Sequence, residues 1–81
     1  MKLNGLPNKS AVRLVDLRLY LNEMIDNSSY SQRELAIMAN VSQSSIALYV
    51  NGEVDSPSLE WIVRVFKALD VPTTVLLDFI Y

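Results

Sequence analysis

The stretch Ser31-Gln32-Arg33-Glu34-Leu35-Ala36-Ile37-Met38-Ala39-Asn40-Val41-Ser42-Gln43-Ser44-Ser45-Ile46 decides the fold of this 81-residue chain. Ser31 and Glu34 stand in capping-box spacing. The Ser31 hydroxyl can accept from the Glu34 backbone N–H, and the Glu34 carboxylate can accept from the Ser31 N–H. Tyr30 and Leu35 flank that cap at hydrophobic-staple positions. A short helix over Gln32 to Ala39 follows, and Asn40 ends it, being the best non-glycine residue for a left-handed backbone. Ser42 caps a second short helix, Gln43 to Val50, with Val41 and Ile46 at its staple positions. Asn51-Gly52 stops this helix, Gly52 being free to take a positive φ.

Working outward, Ala11 to about Asp26 reads as a helix capped by Ser10. Leu14, Leu17, Leu21 and Met24 recur at three- and four-residue steps, with Ile25 beside them. Val12, Val15 and Leu19 make a second apolar stripe on the same helix. Downstream, Ser56 reads as an N-cap with Pro57 at the first helical position. The expected buried stripe of that helix is Leu59, Ile62, Val63, Phe66 and Leu69, and Trp61 and Phe66 read as packing residues. Val71-Pro72-Thr73 interrupts the chain before a last short helix, roughly Thr74 to Ile80. The expected architecture is all-α, with five helices in one domain over 10–81 preceded by a polar arm over 1–9.

Composition removes whole classes of chemistry. The chain has no Cys and no His. Thiol and imidazole catalysis, disulfides and zinc fingers are therefore excluded. No carboxylate pair has a catalytic or calcium-loop spacing, and the two glycines, Gly5 and Gly52, cannot build a phosphate-cradling loop. Neither an enzyme nor a cofactor is expected. No apolar run approaches the ~18 residues of a membrane span. The N-terminus lacks the apolar stretch of a secretory signal, and the absence of Cys fits a reducing cytoplasm.

Charge is unevenly spread. The net charge is −2. Lys2, Lys9, Arg13, Arg18 and Arg33 outnumber Asp16, Glu23 and Asp26 in residues 1–33, whereas Arg64 and Lys67 face six acids in residues 34–81. A nucleic-acid-binding domain usually carries a basic footprint, and this chain lacks one overall.

Two short helices with N-caps eleven residues apart, joined by a tight turn, form a helix-turn-helix over about 31–51. Leu35, Ala39, Val41, Ile46 and Tyr49 fall where the helices and the core must meet, and Ala36 is small where they approach most closely. Together with Asn51-Gly52, Ser56-Pro57-Ser58-Leu59 and Lys67-Ala68-Leu69, these motifs resemble the lambda-repressor-like, or Cro/XRE-type, helix-turn-helix family. The likeness covers about Tyr30 to Phe79. It implies a five-helix DNA-binding fold and a transcription regulator, most members being phage and bacterial repressors.

The resemblance also implies that Gln43 to Val50 is the recognition helix. At 100° per residue, Ile46, Tyr49 and Val50 cluster on one side, while Ser44, Ala47 and Leu48 point the other way. Gln43 sits at the exposed N-terminal end. Such an uncharged face reads bases by hydrogen bonding, Gln to adenine and Ser44 or Ser45 to several bases, with Leu48 against a thymine methyl. By likeness to the family, Gln32 and Asn51 contact phosphate, and Arg33 lies near. Each has a plainer alternative: Gln43 as a solvated helix former, the serines as capping residues, and Asn51 as a turn former.

The expected function is a phage- or prophage-type repressor that occludes an operator in double-stranded DNA as a homodimer. The expected dimer contact is the apolar C-terminal segment, through Leu77, Ile80 and Tyr81. Its alternative is that the tail folds onto Val12, Val15 and Leu19. Ile37 and Met38, side by side where charge is common, are either extra core or a protein-docking surface. An antirepressor, antitoxin or repressor modulator that grips another regulator is the alternative function.

Overall fold

The computed structural model describes residues 14–54 and 56–79. The expected arm, the Ser10 cap and Val12 lie outside them, as do Ile80 and Tyr81. The order is α1 (Leu14–Asn27), α2 (Gln32–Ala39), α3 (Gln43–Val50), α4 (Leu59–Ala68) and a 3₁₀ segment (Thr73–Phe79). No strand occurs among the described residues.

One core joins all five elements. Leu17, Leu21 and Ile25 of α1 meet Leu35, Ala36 and Ala39 of α2, Ile46 and Tyr49 of α3, and Ile62, Val65 and Phe66 of α4. Val71, Leu76 and Phe79 close it from the C-terminal side. The three- and four-residue steps of these apolar residues give each helix one inward stripe. Ala36 is only 3% exposed, so a larger side chain there would overpack the core.

The exits of α2, α3 and α4 use one device. Asn40 (φ 57°), Gly52 (φ 79°) and Asp70 (φ 59°) take the left-handed conformation after α2, α3 and α4. Each exit makes paired capping bonds. Asn40 N–H donates to the Ile37 carbonyl at 3.2 Å and Val41 N–H to Ala36 at 3.0 Å. Gly52 and Glu53 repeat the pattern on Tyr49 and Leu48, at 3.1 and 2.8 Å, and Asp70 and Val71 on Lys67 and Phe66, at 3.1 and 2.9 Å. These Schellman closures satisfy carbonyls that a helix end otherwise leaves open. Asn and Asp tolerate the left-handed region better than other side-chain-bearing residues, so glycine is not required at every exit. Arg64 secures the first turn. It donates to the Asn40 carbonyl at 3.0 Å and pairs with Glu60 at 2.8 Å.

Four sequence expectations are corrected. The cap of α4 is Ser58, whose hydroxyl accepts from Trp61 N–H at 3.1 Å, not Ser56. Both serines satisfy the capping rule. Pro57 instead precedes the helix and lines a small cavity with Leu48, Tyr49 and Trp61. Leu59 is 63% exposed and Val63 and Leu69 only partly buried, while Val65 is fully buried. α4 packs against both α2 and the C-terminal segment, so its inward face is centred on Ile62, Val65 and Phe66. The last element is 3₁₀ rather than α-helical. Three residues per turn align Leu76 with Phe79, and both are buried. Finally, Val15 (61%) and Leu19 (58%) remain exposed, and Phe79 packs instead on Tyr20 with ring centroids 5.4 Å apart. The second stripe of α1 is therefore not the seat of the described tail.

Candidate nucleic-acid interface

The capping box of α2 is complete. Glu34 N–H donates to Ser31 Oγ at 3.0 Å, and Ser31 N–H donates to Glu34 Oε1 at 2.8 Å. It sets the start of α2 with Gln32 half-buried and Arg33 exposed. Ser42 caps α3 without a reciprocal carboxylate, its hydroxyl accepting from Ser45 N–H at 3.1 Å. α3 then turns Ile46 and Tyr49 inward and leaves Gln43, Ser44 and Leu48 exposed and Ala47 half-buried. Gln43 thus stands exposed at the entry of α3. Ser44 lies beside it, its hydroxyl sharing a 3.3 Å hydrogen bond with that of Ser42. Asn51, at the exit, is exposed.

Ser45 is placed differently from the other candidates. Its hydroxyl donates to the Ser42 carbonyl at 2.6 Å and accepts from Trp61 Nε1–H at 2.9 Å. It is half-buried and ties the entry of α3 to α4. The Trp61 ring also lies against Tyr49, with centroids 4.9 Å apart, consistent with its expected packing role. Sequence spacing could not reveal the Trp61–Ser45 bond, because sixteen residues separate the partners.

The exit of α3 is held from α1. Asn22 Nδ2 donates to the Val50 carbonyl at 3.3 Å. One turn earlier on α1, the Arg18 guanidinium lies against Gly52. A Cβ built on Gly52 would stand 2.8 Å from Nη1 and 3.3 Å from Cζ. Arg18 forms no ion pair among the described residues. Burial pushes the Tyr49 hydroxyl up to about 12, and the nearby Arg18 charge partly opposes that rise. This hydroxyl is buried without a hydrogen-bond partner among the described residues. Sequence reasoning placed Arg18 on α1, among the cations that could reach phosphate only through the arm and that helix, but gave it no place beside α3. Its four-residue offset from Asn22 was the only signal in the chain, and helical offsets of that kind are common.

The expected partner-contact residues fall elsewhere. Ile37 is 71% and Met38 48% exposed on α2, and Leu77 is 65% exposed on the 3₁₀ segment. Met38 also lines a groove of about 440 Å³ with Ala39, Arg64, Lys67 and Ala68. Among the described residues no group of His, Cys, Asp or Glu is placed to hold a metal ion. Nor is any helix of the described residues long and apolar enough to cross a membrane.

Two short capped helices, a left-handed turn and an outward polar face on the second helix define a helix-turn-helix DNA-binding domain. A family model described as helix-turn-helix matches residues 21–76, more than two thirds of the chain. The chain belongs to this Cro/C1-type, lambda-repressor-like family of DNA-binding transcription regulators, which is not a family of enzymes. No curated protein and no solved structure matches it.

Proposed function

We propose that this protein is a sequence-specific repressor of the phage or prophage type, acting in the cytoplasm by occluding an operator. The observation that carries this reading is the outward face of α3, where Gln43, Ser44 and Leu48 are exposed and uncharged while Ile46 and Tyr49 anchor the helix. A face without charge gains little from Coulomb attraction, so its use lies in base recognition by hydrogen bonds and methyl contacts. Gln32 and Arg33 at the start of α2, and Asn51 after α3, flank that face as candidate phosphate contacts. The exposed Leu77 supports a homodimer through the C-terminal segment, with Ile80 and Tyr81 following it in sequence. A two-fold contact there would present two recognition helices to half-sites ~34 Å apart. It would also double the phosphate contacts available to a protein of net charge −2.

The test is selection from a random duplex library, followed by gel shifts on the enriched sequence. A two-fold symmetric site about one helical turn between half-sites is expected, whereas no duplex binding even at very low salt would overturn the reading. Leu77→Lys should convert a sedimenting dimer to a folded monomer with reduced operator affinity. An unchanged size would rule out the C-terminal dimer.

The exposed Ile37–Met38 pair beside the groove favours a second reading, a modulator that binds another regulator as an antirepressor or antitoxin does. Ile37→Lys with Met38→Lys distinguishes the two. Unchanged operator binding and unchanged repression in cells count against the modulator.

A further inference from the structure

We infer that Arg18, although it belongs to α1, is a phosphate-binding residue of the DNA interface, seated beside the exit of the recognition helix by the missing side chain of Gly52. This inference rests on the DNA-binding reading above and adds a residue to it. The α3 face itself carries no cation, and Arg33 serves only the end where α2 begins. A major groove is about 12 Å wide, and an eight-residue helix is about as long. A helix laid in it therefore needs backbone contacts at both ends to hold its register.

Arg18 supplies the second end. Its guanidinium lies against Gly52, one residue beyond the exposed Asn51. Arg18 as a whole residue is only partly buried, so part of it still meets solvent. No carboxylate neutralises it among the described residues, unlike Arg64, whose charge is held by Glu60. Asn22, one turn along α1, bonds the Val50 carbonyl and fixes α1 against this end of α3. A guanidinium so placed has a fork of N–H donors, and only some can be used on protein carbonyls. Phosphate oxygens are the acceptors that match both its charge and its geometry.

The test compares the parent with Arg18→Met and Arg18→Lys on the selected operator and on a random duplex. Arg18→Met keeps the apolar stem and removes the charge. Its slope of log K against log salt should be shallower by about 0.9, with the same fold loss on both duplexes. Arg18→Lys should retain most of the parent slope. Thermal melts of all three proteins establish that each is folded. An unchanged slope for folded Arg18→Met, with duplex binding retained, overturns the inference and leaves the DNA-binding reading intact. A loss confined to the operator also overturns it, because a phosphate contact is blind to sequence. If the folded parent binds no duplex, both readings fall together.

Discussion

The two ends of the recognition helix are built on different principles. At its entry, Ser42 caps the backbone from within the same turn, and Gln43 and Ser44 project from a start that local sequence defines. At its exit, Gly52 closes the backbone locally, but Asn22 and Arg18 reach in from α1. The entry offers neutral hydrogen-bonding groups, and the exit offers a positive charge. Base readout demands directional donors and acceptors, which short polar side chains on a capped helix provide. Holding phosphate demands charge, and the proposed source is Arg18 on a distant element, since α3 itself carries none.

The largest expected effect falls at the entry. Gln43→Ala should cost ~1–3 kcal/mol of operator binding and relax preference at one adenine, with the melting temperature nearly unchanged. Competition gel shifts with single-base operator variants measure it, and an equal loss on random DNA would show that Gln43 reads no base.

Gly52→Ala tests the exit. The φ of 79° is strained for alanine by ~1–2 kcal/mol, and the new methyl would also displace the Arg18 guanidinium. Thermal denaturation should show the stability loss, accompanied by weaker binding to operator and random duplex alike. A variant as stable as the parent would mean that the turn does not need this conformation.

Trp61→Phe returns to the entry. It keeps an aromatic ring against Tyr49 but removes the donor to Ser45, for an expected ~0.5–1.5 kcal/mol of stability. Chemical denaturation gives the cost. Operator affinity should fall modestly, since the start of α3 loses its tie to α4; undiminished affinity and stability would show the bond to be dispensable.

The smallest effect at neutral pH belongs to Tyr49→Phe. Its hydroxyl is buried without a partner among the described residues, so its loss should be neutral or slightly stabilising. The alkaline limb is more informative. The folded protein holds the Tyr49 proton up to about 12, against a usual value of 10.0. Between those values the unfolded chain releases its proton first, so stability is intact below about pH 10 and falls as pH rises toward 12. Denaturation at pH 9 and 11 should show a shallower decline in Tyr49→Phe than in the parent. Parallel declines would mean that burial does not raise this hydroxyl.

Legibility in the sequence followed the range of each interaction. Ser31, Glu34, Asn40, Ser42 and Gly52 act on partners within five residues, so spacing alone located α2, the turn and α3 with the bounds observed. Ser56 and Ser58 both obeyed the local capping rule, and only the structure shows that Ser58 is the cap, accepting from Trp61 N–H. Ser45 looked like its neighbour Ser44, yet one is bound by Trp61 and the other is exposed. In the final segment Leu76 and Phe79 were legible as one apolar face, but whether 3₁₀ or α geometry would present it was not.

By itself, then, the sequence determined an all-helical chain with a helix-turn-helix at its centre and an uncharged outward face on its second helix. Caps, left-handed turns and apolar periodicity are local physics and need no partner across the fold. Only the tertiary structure decided that Trp61 holds Ser45, that Phe79 covers Tyr20 instead of the stripe of Val15 and Leu19, and that Arg18 lies at the exit of α3. Each of these joins residues at least sixteen positions apart, and such contacts form only where the packed helices bring the two side chains together.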